Sequence, residues 1–378
     1  MKRTFFSFLC GWFIVVVFGF FTLAFSGDYK TVTGPCDFVF PRDHGAHSDF
    51  RTEWWYYTGN LSASSGKRYG FQLTFFRSQM AEPGSEKTWP KNPSAWRAKD
   101  LFFAHSALSD LETKRFSLDE RVARSGAGLA GATQDKDATR IFLGNWSAII
   151  ESAEHTLKAP AKDFSLDLGC KASKPVTAHG VGGYSLKGKG PESASCYYSY
   201  TRLEAEGSIT FDGKPVPVRG TAWMDHEFSS APLEEDLEGW DWFSLQFEDQ
   251  TELMIYLLRQ KTGGNCVSSS GTFVKASGEA IQLSQRDFQV EILDRWKSPR
   301  SGASYPSRWR IRVTPLNLEL SIVPSLPDQE LITEKSTRVT YWEGSVMVSG
   351  RSGESPVSGI GYVEMTGYAK PFKLSPTP

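Results

Sequence analysis

The stretch GTAWMDHEFS (Gly220–Ser229) sets Asp225, His226 and Glu227 in a row between aromatic residues. Its aromatic and alternating composition predicts a β-strand. Neighbours on a strand point to opposite faces, so Trp223, Asp225 and Glu227 share one face, and Met224, His226 and Phe228 the other. A carboxyl group on a face that lines a cavity loses hydration, its pKa rises, and it becomes available as a general acid near neutrality. The indole of Trp223 offers its π-face to a developing cation. Asp225 is therefore the candidate acid, with Trp223 and Glu227 beside it. The structural alternative pairs Asp225 with Arg202 or Arg219.

A second cluster, DHGAHSDFRTEWW, supplies Asp43, His44, His47, Asp49 and Glu53. Two histidines and a carboxylate are the ligand types of a metal site. No metallohydrolase signature surrounds them, so no metal is assigned, and metal-dependent hydrolysis stands third among the readings. The commoner role is to hydrogen-bond the N-terminal segment across a barrel mouth, with His47 and Glu53 at the rim of a pocket. Alternation places Trp54 and Tyr56 on one face, Trp55 and Tyr57 on the other. Trp54, Tyr56, Tyr198, Tyr200, Trp240 and Trp242 are the aromatic candidates for contact with a ligand. No nucleophile elbow, Walker loop or dinucleotide fingerprint occurs, so no cofactor is expected.

These side chains need strands to position them. From Cys36 onward no long amphipathic helix is evident. Segments such as YGFQLTFF, FSLDLGC, ELMIYLL and LNLELSIV alternate as strands, and ASSGK, SDLETK, FDGKP and SGRSGES read as turns. The second half also echoes the first. EWWYYTGNL aligns on GWDWFSLQF, pairing Trp54 with Trp240, Tyr56 with Trp242 and Tyr57 with Phe243. The strand ending at Arg77 aligns on the one ending at Arg259, and FSLDLGCKASKP on LNLELSIVPSLP. EGSITFDGKPVPVRGTAWMDHEF then aligns on EGSVMVSGRSGESPVSGIGYVEMTGY, which puts Tyr362 and Glu364 at the places of Trp223 and Asp225. This repetition reads as a shared structural role in closing each unit, with at most one pocket in use. The units are too long for a solenoid and imply a duplicated domain. The expected fold is all-β, with two consecutive antiparallel barrels over residues 36–228 and 239–378. The acidic, proline-containing stretch 229–238 joins them. Barrels of about eight strands can enclose one small ligand.

Lys and Arg number 42 against 43 Asp and Glu, a balance without the electrostatic footprint of a nucleic-acid binder. The N-terminus pairs MKRT with an apolar run that ends in small residues. Residues 1–26 therefore read as a signal peptide, or as a membrane anchor, because the run over residues 5–25 is long enough to span a bilayer. Either way the chain is placed in the periplasm or outside the cell, tethered to the membrane if the leader is retained. Beyond the leader, Cys36, Cys170, Cys196 and Cys266 allow three pairings, and free buried thiols are an equal alternative.

HSDFRTEWWYYTGNL, GTAWMDHEFS, GWDWFSLQF, SGASYPSRWRI, PDQEL, YWEGSV and GIGYVEMTGY together resemble the AttH/CrtC family, from about Asp43 to Tyr368. The resemblance implies two lipocalin-like domains. It also implies relatives that include carotenoid 1,2-hydratases and fungal enzymes that accelerate pericyclic ring closures. In the hydratases a carboxylic acid protonates a terminal isoprenoid double bond and water captures the cation. The family's acid has an aromatic residue two positions earlier, the spacing of Trp223 and Asp225. The hydratases carry His and Trp upstream of the acid, where this chain has CYYSYTRL. The expected function is binding of an apolar isoprenoid, polyene or lipid, with acid-catalysed hydration, isomerisation or cyclisation in the lyase manner. The alternative is a non-catalytic lipophile carrier or envelope-assembly factor.

Overall fold

The computed structural model describes residues 29–372, so the leader assigned to residues 1–26 lies outside the described residues. Among the described residues the chain is all-β, interrupted only by short 3-10 turns, and no helix is long and apolar enough to cross a membrane. The strands form two antiparallel sheets. The first runs in the order Arg115–Arg124, Asp100–Asp110, Arg68–Gln79, Thr52–Ala63, Lys214–Ser229, Ala194–Phe211, Phe164–Ala172, Glu154–Pro160, Trp146–Glu151, Ala138–Leu143 and Ala130–Asp135. The second runs Ala280–Ser284, Ser270–Val274, Glu252–Gln260, Leu237–Phe247, Ser355–Met365, Thr340–Ser352, Leu318–Pro324, Ser304–Val313 and Phe288–Lys297. Every strand up to Ser229 is in the first sheet and every strand from Leu237 onward is in the second.

The first sheet curls into a near-closed barrel, and Arg121 on its end strand spans the seam. Its guanidinium donates to the carbonyl oxygens of Pro160 (2.9 Å) and Leu143 (3.4 Å) and lies 4.2 Å from the Trp146 ring. The second sheet is a half-barrel, and together they form a double lipocalin-like fold. The strand order around each sheet repeats. Thr52–Ala63 lies between Arg68–Gln79 and Lys214–Ser229, as Leu237–Phe247 lies between Glu252–Gln260 and Ser355–Met365.

The barrel lumen is filled rather than hollow. Trp55, Tyr57, Phe71, Leu73, Phe75 and Trp146 pack into one cluster, each at most 0% exposed. Burying a large apolar side chain stabilises by about 1.5–3 kcal/mol, so this packing is a main source of stability for the first sheet. The opposite faces of the same strands are buried too, because the second sheet lies against them. All of Asp100–Asp110 is buried for that reason, which removes the polar alternation expected of a half-exposed strand.

Polar side chains cross between the sheets. Glu252 accepts from Arg202 (2.6 Å) and Lys174 (2.7 Å), and the Gln246 amide donates to the carbonyls of Thr201 (2.8 Å) and Ala222 (3.0 Å). At Gly70 the sheets approach so closely that a Cβ would stand 2.8 Å from the Tyr362 hydroxyl. A disulfide joins Cys36 to Cys196 and ties the N-terminal segment to the strand Ala194–Phe211. Cys170 and Cys266 are free and buried, and burial pushes the Cys170 thiol up to about 12.

Candidate active site

The outward faces of the two sheets do not meet everywhere. They enclose a cavity of about 210 Å³ whose walls include Trp54, Tyr56, Tyr197, Trp240, Trp242 and Tyr341. Strand alternation supplies these residues. Trp54 and Tyr56 leave the barrel core that Trp55 and Tyr57 fill, and Trp240 and Trp242 do the same in the second sheet. The residues used by sequence reasoning for the first ladder are cross-strand neighbours, with Tyr56 opposite Asp225 and Trp54 opposite Glu227.

Asp225 faces this cavity while 4% exposed. Its carboxyl accepts from Trp223 Nε1 (2.6 Å), from the Tyr197 hydroxyl (2.9 Å) and from the Ser199 hydroxyl. Burial pushes its pKa up to about 7 against the pull of those three donors, and the charge of Glu227 adds to the rise. Neither arginine weighed as a partner reaches it. Arg202 is bound to Glu252, and Arg219 is exposed on the far end of the strand. Glu227 forms an ion pair with Lys187 (2.9 Å) and accepts from Ser195. Trp223 belongs to the aromatic cluster between the sheets, where it meets Trp242 edge to face.

The second sheet contributes its own carboxyls to the same walls. Glu364 lies opposite Trp242 on one side and opposite Glu343 on the other. Burial raises the pKa of Glu364 to about 8, with the charges of Asp225 and Glu227 adding to it. Burial and the neighbouring Glu364 hold Glu343 well above the usual carboxylate range. Neither oxygen of Glu343 has a hydrogen-bond partner, and nor does the Tyr56 hydroxyl. The two repeat acids thus open onto one shared cavity, where the sequence suggested separate closing positions in two units. The pairing of Glu343 with Glu364 escaped sequence reading, although the hairpin register joining YWEGSV to GYVEMTGY would have revealed it. Lys187 and His105 also line the cavity, and no spacing signal marked them, whereas Tyr197 reaches it by the strand alternation that turns Tyr198 the other way.

The remaining candidates, apart from Glu53, lie elsewhere. Tyr198 and Tyr200 pack with the barrel interior, and their hydroxyls approach His44 Nδ1 (2.7 Å) and Nε2 (3.4 Å). Tyr200 also lines a second, more open cavity of about 630 Å³ beside His44, Ser152 and Lys174. His47 stacks on Phe228 with ring centroids 3.6 Å apart. Glu53 contributes to the cavity wall, but its carboxylate is engaged by Arg77 (2.9 Å), His47 (2.7 Å) and His226 (2.9 Å). His47, Glu53 and His226 are close enough together to share an ion. His44 is not in that group, and the Arg77 guanidinium on Glu53 opposes a further cation. Burial lowers the pKa of His47, but Asp43 and Glu53 overcome that effect and hold it raised. The cluster is a closed hydrogen-bond network, and it pins the segment Asp43–Phe50 to the strand ends through Arg77, which donates to the carbonyls of His47 and Phe50.

Comparison with known proteins supports the architecture. Residues 31–368 match the model of a family described as AttH-like. A crystal structure assigned as an AttH from Nitrosomonas europaea is 33% identical, with a TM-score of 0.79, covering 90% of this chain and 99% of that one. Kievitone hydratase from Nectria haematococca shares the fold at 16% identity and a TM-score of 0.68, over 91% of this chain and 97% of its own. CghA in complex with Sch210972 does so at 12% identity and 0.53, over 84% and 89%. No functionally curated protein matches the sequence.

Proposed function

The chain belongs to the AttH-like family, and from that premise we propose that it binds an apolar, unsaturated ligand between its two sheets and acts on it by acid catalysis. Asp225 is the general acid in a hydration, isomerisation or cyclisation. The observation that carries this reading is a buried carboxyl, with its pKa raised to about 7, facing an aromatic-walled cavity. A carboxyl with that pKa is half protonated near neutrality, the condition under which an acid both holds and gives up its proton efficiently. In hydration the Asp225 proton adds to one alkene carbon, water oxygen bonds to the other, and the surplus water proton passes to the Asp225 carboxylate, restoring the acid. Trp242, on the cavity wall, shields the intermediate cation with its ring, while Trp223 lies off the wall and acts through its hydrogen bond to Asp225. Kievitone hydratase shares only the fold with this chain, and the isoprenoid, polyene or lipid class is a proposal for this chain alone.

A second reading, a non-catalytic lipophile carrier, has one observation in its favour. Three donors converge on Asp225, and such a set favours an ionised structural acceptor. Under either reading the protein works in the periplasm or outside the cell, supported by the apolar leader and the Cys36–Cys196 disulfide.

The test is to isolate wild type and Asp225→Asn from their own envelope and compare the extracted ligands by mass spectrometry. A wild-type ligand that is a hydrated or isomeric form of the mutant's ligand supports catalysis. The same compound in both supports the carrier and removes Asp225 as an acid.

A further inference from the structure

We propose that Glu343 and Glu364 form a subsite for positive charge, so that the cavity takes an apolar ligand that carries, or transiently develops, a cationic centre beside them. This inference rests on the ligand-binding reading of the cavity and adds the charge of what binds there.

Two carboxyls directly opposite each other on neighbouring strands repel when both are ionised. Buried carboxyls in that position are ordinarily reconciled by a protein cation or by a proton shared in a carboxyl–carboxyl hydrogen bond. Neither occurs here. Neither oxygen of Glu343 makes a hydrogen bond of good geometry, and of its neighbours only the Tyr56 hydroxyl eases its charge, although the residue is only 2% exposed. Among the described residues, the cations on the cavity wall are committed elsewhere. Lys187 is on Glu227, while Arg77 is held by Glu53 and Asp100. His105 also faces the cavity, but burial lowers its pKa to about 3, so it stays neutral.

A neighbouring group points the same way. The Tyr56 hydroxyl, only 6% exposed, stands beside Glu343 on the cavity wall and adds a second polar group there without a bond of good geometry. Tyr56 and Trp242, which meet edge to face at 5.2 Å, and Tyr341, two residues from Glu343 on the same strand face, add ring surface around the carboxyls. Burial keeps protons on both carboxyls when no counter-charge is near. A cation entering between the aromatic faces favours their ionised form, so carboxyls and rings together recognise ammonium and other soft cations. The charge has two sources: a protonated or quaternary nitrogen on the ligand, or the carbocation created when Asp225 protonates an alkene.

The experiment uses intrinsic fluorescence of the cavity tryptophans to titrate the full chain with three probes sharing one tail. These are octyltrimethylammonium, the neutral octyldimethylphosphine oxide and octyl sulfate, each below its micellar concentration. Wild type should bind the cation roughly tenfold tighter than the neutral probe and reject the anion. In the Glu343→Gln, Glu364→Gln double variant that ratio should fall to near one while neutral-probe affinity persists, which also shows that the cavity is intact. Equal affinity for cation and neutral probe in wild type, or a preference that survives the double substitution, would overturn the proposal.

The co-purified ligand separates the two sources. A nitrogen base indicates permanent charge, and a neutral alkene or alcohol indicates charge made in the reaction. Failure of the acid reading is distinguishable, because Asp225→Asn can retain turnover while the cation preference stands.

Discussion

In the first sheet Asp225 lies opposite Tyr56 and is held by Ser199, Tyr197 and Trp223, whereas in the second sheet Glu364 lies opposite Trp242 with Glu343 at the place of Ser199. The ladders correspond strand for strand, so the backbone does not distinguish the two carboxyls. Their partners do. A serine opposite the acid supplies a donor, which works against the desolvation of Asp225. A glutamate opposite the acid supplies a second charge, and Glu343 is left without a partner. A duplicated scaffold has thereby become asymmetric at one register position, with a proton-handling group on one wall and, on the other, a carboxyl pair in which Glu343 is unsatisfied. Buried polar groups left unsatisfied in a native fold call for an explanation in function.

The largest expected effect falls on the first wall. Asp225→Asn should lower turnover of the identified ligand by about 10²–10⁴-fold, the usual contribution of a positioned acid. Ligand retention should be unchanged, because Asn keeps the size of the side chain. Wild-type turnover in that variant sinks the assignment and leaves the walls chemically equivalent.

The next effect breaks the comparison by separating the sheets. Glu252→Leu strands Arg202 and Lys174 without their shared carboxylate, and leaving buried charges uncompensated costs about 3–5 kcal/mol. Denaturant unfolding should show that loss, or two transitions in place of one if the sheets come apart independently. An unchanged midpoint would mean that docking rests on the apolar contact alone.

Much of this was legible in the sequence and some was not, for physical reasons. The repeat, the strand alternation around Trp54–Tyr57 and the all-β class follow from local patterns, and the structure has them. Asp225 stood out because charge inside an aromatic strand is costly unless it is used or satisfied. The filled barrel lumen was not legible. Tyr198 and Tyr200 have the composition of pocket-lining residues, but the parity that points Tyr197 at the cavity turns them inward, and the bulge between Tyr200 and Leu203 lies in the same strand. Strands such as Asp100–Asp110 are covered on both faces, so no polar side marks their orientation. The disulfide needed the spatial meeting of Cys36 and Cys196 across 160 residues, which no spacing encodes.

A smaller effect of opposite sign belongs to the second wall. Glu343 and Glu364 have folded-state pKa values raised above those of the unfolded chain, so the native state binds more protons between roughly pH 4 and pH 8. Stability from this source is complete below about pH 4 and is lost as pH rises through the folded values. Glu343→Gln should therefore raise stability at pH 8, by on the order of 2 kcal/mol, and flatten its decline from pH 5 to pH 8. Melting curves across that range check it, and a variant that melts lower at pH 8 would place a stabilising bond on Glu343.

The finest test makes the first wall resemble the second by removing only the donor that separates them. Ser199→Ala takes away a hydrogen bond that favours the charged form of Asp225, so the carboxyl should hold its proton to higher pH. A bond to a charged acceptor contributes about 1.5 kcal/mol or more, which corresponds to a rise of about one pKa unit from the value near 7. The protonated-carboxyl stretch of Asp225 in difference infrared spectra against Asp225→Asn reads this directly, with its titration midpoint moving toward that of Glu364. His179 Nε2 lies 2.7 Å from the same Ser199 hydroxyl, and the imidazole is kept neutral by burial, with the charge of Lys187 adding to it. The substitution therefore removes a dipole and leaves no new charge in its place. A midpoint that stays fixed would show that Tyr197 and Trp223 set the Asp225 proton affinity by themselves, and that serine against glutamate at this register position matters only in the second sheet.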